Sequence, residues 1–143
     1  MSEENKKVVL GCWETANRHD PAGLDRYYAE DVVYYGTDGE IRGRDNVKAF
    51  LGRYMEAVPD LKFTVEDVFG EGDRVFSRAR LEGTNTGAFN GVPPTGRRLD
   101  VRWVMNVARI EDGKIAEEWE ICDQFEILRQ LGLAGEAVSV DGA

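Results

Sequence analysis

Two glutamates, Glu118 and Glu120, stand two residues apart in the segment Lys114–Cys122, and Asp123 follows directly after it. The segment reads as a β-strand, and residues two apart on a strand share a face. If that face looks into an apolar pocket, desolvation and like-charge repulsion raise the carboxyl pKa values and leave one protonated donor beside one base. Such a pair suits proton transfer to and from carbon. Hydrophobicity alone favours the opposite assignment. Ile115, Glu117, Trp119 and Ile121 form the more apolar set, which would leave Glu118 and Glu120 in water with Ala116 and Cys122. Strand alternation leaves both assignments open. Asn106 lies mid-strand among Trp103, Val104, Met105 and Val107, where a buried amide must find partners, as a pocket donor or as a structural bond.

Other chemistry-bearing residues carry less. The single histidine, His19, falls in the corner Asn17-Arg18-His19-Asp20-Pro21 and is expected at the surface. No spacing of His, Cys or carboxylate matches a metal site, and none is expected. Cys12 and Cys122 are far apart in sequence and are expected as buried free thiols. A net charge of −9 works against phosphate backbones and anionic lipid, so no nucleic acid or membrane partner is expected. Arg97-Arg98 with Arg102 reads as a solvated face. The mixed charge of Met1 to Lys7 is unlike a secretory signal, and no apolar run is long enough to span a bilayer, so the expected location is cytoplasmic.

The elements that must position these residues follow from periodicity. Val9, Cys12, Trp13 and Ala16 keep i, i+3, i+4, i+7 spacing and predict a helix over about residues 3–18. Asp20-Pro21 predicts a second, short helix that buries Leu24, Tyr27 and Tyr28 and ends near Asp31. Val32 to Tyr35 predicts a short strand, closed by Gly36-Thr37-Asp38-Gly39. A third helix carries Val47, Phe50, Leu51 and Tyr54. From Leu61 the pattern alternates: a hairpin of Leu61–Phe69 and Arg74–Glu82, then strands Leu99–Ile110 and Lys114–Cys122 joined at Asp112-Gly113. A last helix packs Phe125, Leu128 and Leu131, and the tail 134–143 is expected to fray. The whole chain, 1–143, is expected to be a single α+β domain: N-terminal helices packed on a strongly curved, mixed but mostly antiparallel sheet, with the pocket between.

The run Gly83-Thr84-Asn85-Thr86-Gly87-Ala88-Phe89-Asn90-Gly91-Val92-Pro93-Pro94-Thr95-Gly96-Arg97, the block Asp112 to Glu120, Asp123 and Leu128-Arg129-Gln130-Leu131-Gly132 resemble the SnoaL-like polyketide cyclase family. The resemblance covers residues 5–133. It implies the cone-shaped fold shared with nuclear transport factor 2 and ketosteroid isomerase, and it turns Glu118 and Glu120 inward. The resemblance further implies an intramolecular aldol closure or isomerisation without cofactor, on a hydrophobic ketone or polyketide-like molecule. Glu120 would be the base, Asp123 or Glu118 the partner acid, and Asn85 or Asn106 the donor to the enolate oxygen. Candidate walls are Trp13, Tyr28, Tyr34, Phe50, Tyr54, Phe89 and Trp103, with the Phe89–Gly96 loop at the rim.

Two departures from the family pattern stand out: Glu120 where relatives carry aspartate, and Asn85 where relatives carry histidine. Both lean toward a binding protein that has lost the acid. A third alternative, an epoxide hydrolase, would need Arg78, Arg80 and Asp123 around a water. An outer sheet face bearing Trp103 or Trp119 predicts a homodimer.

Overall fold

The computed structural model describes residues 2–37 and 39–133; the predicted fraying of the tail concerns residues 134–143, outside that range, as does Asp38 in the turn after the first strand. The elements in order are α1 (Ser2–Asn17), a 3₁₀ turn (Pro21–Arg26), β1 (Tyr28–Gly36), β2 (Gly39–Arg42), α2 (Arg44–Ala57), β3 (Lys62–Glu71), β4 (Arg74–Thr84), β5 (Arg98–Glu111), β6 (Lys114–Cys122) and α3 (Gln124–Gln130). The six strands form one sheet in the order β2-β1-β6-β5-β4-β3, with β1 parallel to β6 and every other pairing antiparallel. The sheet is open: β2 and β3 are its edges.

The sequence sorts the two faces by alternation. Along β4, Val75, Ser77, Ala79 and Leu81 are buried, while Phe76, Arg78 and Arg80 point away. The inward set meets α1 and α2. Val9, Leu24, Tyr28, Val32, Val47 and Ile115 form one core cluster, and Met55, Leu61, Leu81, Leu99, Val101 and Val104 form a second. Trp13 and Leu51 pack against both. Leu24 is fully buried, which is worth about 1.5–3 kcal/mol in transfer from water. Among the described residues no helix is long and apolar enough to cross a membrane.

Three predicted elements need correction. The segment after Asp20-Pro21 closes as a single 3₁₀ turn, capped by the Asp20 side chain on Gly23 N, and Tyr28 belongs to β1 rather than to that helix. Its backbone is drawn into the sheet, and its register partner on β6 is Ile115. β2, four residues long, has no counterpart in the sequence reading because one of its residues is Gly and two are charged. Helix α3 does not bury Phe125 and Leu128, which are exposed; Ile127 and Leu131 pack on the second cluster instead.

Candidate active site

The position of Glu118 and Glu120 is decided by a break in alternation. On β5, Ile110 pairs with Ile115 and Arg109 with Glu117, so Ala116 opposes no residue. A bulge of this kind inserts one residue on one strand and exchanges the faces beyond it. Ile115 and Glu118 therefore both point inward and are buried, with Glu118 at 4% exposure. Glu117, Trp119 and Ile121 point outward, and Ile121 is 68% exposed. Trp119 lies on the outer face, stacked on Tyr35 at 5.5 Å and beneath Arg74. This corrects the assignment from hydrophobicity, which continued the parity of Ile115 along the strand.

A second bulge resets β5. Leu81 pairs with Val101 but Ala79 pairs with Val104, which leaves Arg102 and Trp103 as consecutive exposed residues. Trp103 is 46% exposed with Arg78 over its ring, so it is not a pocket wall. The same shift turns Asn106 inward, directly opposite Glu120 in the ladder.

The interior then assembles one hydrogen-bonded chain. The Tyr28 hydroxyl donates to Glu118 Oε1 at 2.6 Å, and the Tyr34 hydroxyl donates to Glu120 Oε2 at 2.5 Å. Between them, Asn106 Nδ2 donates to Glu118 Oε2 at 3.0 Å and to Glu120 Oε1 at 3.3 Å. Each carboxylate oxygen thus has a donor. Burial, with the neighbouring charge of Glu120, pushes Glu118 up to about 7 despite the bonds from Tyr28 and Asn106. Burial also raises Glu120, against the bonds from Tyr34 and Asn106. Two acids this close share a proton near neutrality, and the deeper Glu118 is its natural holder. Burial likewise raises the Tyr28 and Tyr34 hydroxyls and the Cys12 thiol, which keeps all three protonated.

Three adjoining voids lead to this chain. An outer chamber of about 460 Å³ is lined by residues that include Ile41, Phe50, Tyr54, Phe89, Val92, Pro93, Ile127 and Leu131. That volume lies within the usual range for small-molecule sites. A middle void of about 50 Å³ shares Phe50, Tyr54, Gln124 and Ile127 with the chamber. An inner void, also about 50 Å³, shares Tyr34, Leu51, Phe63 and Glu120 with the middle one and adds Trp13, Tyr28, Asn106 and Glu118. Of the two glutamates, only Glu120 borders both of the smaller voids.

The remaining candidates are dispersed. Asn85 is buried, but its amide donates to the carbonyls of Ala57 and Gly87, and its Oδ1 accepts from Thr95 N and Oγ1. It pins the loop at the chamber rim and is not joined to the carboxylate pair. Asp123 is exposed and caps α3 by accepting from Glu126 N. Arg78 pairs with Asp67 and Arg80 with Asp100 on the outer face, so the cluster of these arginines with Asp123 is not assembled. His19 bonds the Leu61 carbonyl. Among the described residues no group of three or more His, Cys, Asp and Glu side chains is placed to hold a metal ion.

The sequence reading missed three contributors. Tyr28 and Tyr34 are hydroxyl donors to the acids as well as walls, which strand type alone does not signal. Phe63 lines the inner void and packs tilted against Trp13, with ring centroids 4.8 Å apart. Gln124 and Ile127 line the chamber from α3, beside Leu128 and Leu131, which the sequence reading placed in the helix's packed stripe.

Comparison with known proteins agrees with the fold. The chain matches AclR from Streptomyces galilaeus, a proposed hydroxylase, at 30% identity over 92% of this chain and 98% of that one, with a TM-score of 0.82. It matches IdmH from Streptomyces antibioticus, a proposed polyketide cyclase, at 32% identity over 90% and 98%, with a TM-score of 0.78. An LEH-like epoxide hydrolase from M. tuberculosis, at 18% identity and a TM-score of 0.71 over 91% and 90%, shares the fold. No curated protein matches the chain. The family model of the SnoaL-like polyketide cyclases matches residues 7–131, nearly the whole of the described chain, and the protein belongs to that family.

Proposed function

We propose that the protein is a cofactor-free acid–base catalyst acting on a hydrophobic, ring-bearing ketone of polyketide type, by aldol cyclisation or isomerisation. The observation that carries this reading is the paired Glu118 and Glu120, tied together by Asn106 at the inner end of apolar voids. Glu120 takes the proton from the carbon beside the carbonyl, and the C–H electrons move to the carbonyl oxygen. Once Glu120 is protonated it no longer needs the Tyr34 hydroxyl, which turns to donate to the enolate oxygen. In an isomerisation Glu120 returns the proton at another carbon. In a cyclisation the enolate carbon attacks a second carbonyl of the same molecule, and Glu120 protonates the resulting alkoxide. Glu118 holds the proton shared by the pair and leaves Glu120 as the base, and burial makes Glu120 more basic than a solvated carboxylate.

The test is hydrogen–deuterium exchange at the α-carbons of 2-indanone in D₂O, followed by NMR. Wild type is expected to accelerate exchange, and Glu120→Gln to lose roughly 10²–10⁴ of that acceleration. Exchange at the buffer rate in both proteins sinks the catalytic reading. A second reading, a binding protein without turnover, is favoured by one observation: every oxygen of both carboxylates already has a donor within the protein. Tight binding of the ketone with no exchange would select it.

The same reading includes a homodimer. Phe69, Trp103, Met105 and Ile121 are exposed on the sheet face away from the helices, an apolar surface of the kind that symmetric partners cover.

A further inference from the structure

The inner void combines two features that select a ligand by charge. Its walls include the rings of Trp13, Tyr28, Tyr34 and Phe63, and its floor is Glu118 with Glu120 beside it. Among the described residues that line the inner and middle voids there is no lysine, arginine or histidine. The two carboxylates also take part in none of the described ion pairs. Their partners are neutral donors only. The pair thus has no countercharge among the described residues that line these voids. Aromatic faces around a small cavity attract a cation through their negative π clouds, and more strongly once water is excluded. A void of about 50 Å³ admits one ammonium head, comparable in size to a water molecule, while the ring that bears it extends through the middle void toward the chamber.

We propose that the ligand of this site is a ring compound carrying a protonated amine, whose ammonium group enters the inner void and takes the place of the proton on Glu118. The inference rests on the proposed function and names its substrate class: an amino-ketone rather than a neutral ketone. The ammonium pairs with Glu118 while Glu120 remains free to act as base. No covalent step is added: the proton displaced from Glu118 leaves to solvent as the ammonium enters.

The experiment is calorimetric titration of the wild type with 2-aminoindane and with 2-indanol, which share one ring skeleton and differ in the charged head. The amine is expected to bind at least about tenfold tighter. In Glu118→Gln, checked for folding by circular dichroism, the ratio of amine to alcohol affinity is expected to fall several-fold, with Glu120 and the aromatic walls retaining part of the preference. Equal affinities in wild type overturn the proposal, and so does an undiminished amine preference in folded Glu118→Gln. If that variant does not fold, the wild-type ratio decides alone. The 2-indanone exchange assay separates this inference from the one beneath it. Exchange dependent on Glu120 without amine preference overturns only the ligand class. Amine preference without exchange supports the ligand class and removes the catalytic role.

Discussion

Asn106 and Glu120 face each other directly across the β5–β6 ladder, and the amide of the first lies 3.3 Å from a carboxylate oxygen of the second. The same nitrogen reaches Glu118 at 3.0 Å, so one side chain sets the spacing of both acids. Replacing it with leucine keeps the branched shape and removes both bonds. Asn106→Leu is expected to cost about 1–3 kcal/mol in urea unfolding, because two buried acceptors lose their donor. It should also move the pH dependence of α-hydrogen exchange upward, since the bonds that hold both acids down are gone. An unshifted profile would mean that the amide plays no part in setting the pair.

The pair also fixes how stability responds to pH. Glu118 sits at about 7 in the folded protein against an ordinary value of 4.5. Between those values the folded state binds more protons than the unfolded one, so this residue contributes stability at low pH that is lost as pH rises toward 7. Paired surface acids such as Glu117 and Asp100, held low by hydrogen bonds from Arg109 and Arg80, act in the opposite sense at lower pH. The contribution of Glu118 is isolated by subtraction. From pH 5 to 8, wild type should lose stability relative to Glu118→Gln by an amount on the order of a few kcal/mol. Parallel urea curves for the two proteins across that range would contradict the buried, protonated state.

The Gly83–Arg97 run has a physical requirement at Gly87. A Cβ there would lie 1.8 Å from the carbonyl oxygen of Glu56 at the end of α2. Gly87 N bonds the next carbonyl, that of Ala57, so the loop cannot simply lift away. Gly87→Ala is expected to destabilise the fold by about 1–3 kcal/mol and to weaken ketone binding, because the loop carries Phe89, Val92 and Pro93 into the chamber wall. Thermal melting and calorimetry on the same sample would check both effects.

On the outer face, Ile121→Lys places a charge within the exposed apolar set without touching the interior. If that face joins two copies, the variant should be a folded monomer by light scattering while wild type is a dimer. A wild-type monomer, or an unchanged variant dimer, would remove the face from consideration.

Much of the fold was legible in the sequence because its longer elements are strongly periodic. The stripe from Val9 to Ala16, the hairpin around Gly70-Glu71-Gly72-Asp73 and the Asp112-Gly113 turn all appear where spacing puts them. The candidate site was legible only as a set of residue types. Glu118, Glu120 and Asn106 were identifiable as a group, but the inward turn of the glutamates came from the family resemblance and not from alternation, because the bulges at Ala116 and at Arg102-Trp103 leave no mark in composition. Trp103 was misassigned for the same reason. Asn85 stood in the family motif, and the structure shows a loop pin there, a role that only the positions of Ala57 and Thr95 reveal.

Ala116, which opposes no residue on β5, makes β6 one residue longer than the ladder it fills. The strand therefore has a reading frame, and the interior is specified by which phase is in force beyond that point. Deleting the alanine would close the bulge and leave Ile110 opposite Ile115, Arg109 opposite Glu117 and Ala108 opposite Glu118, with both glutamates still inward. Straightening the strand with the alanine retained would instead send Trp119 and Ile121 toward the helices and both glutamates into water. Chemistry in this protein thus depends on a backbone bulge as much as on the acids themselves, and a homologue one residue shorter here keeps the same faces when aligned with its gap at Ala116.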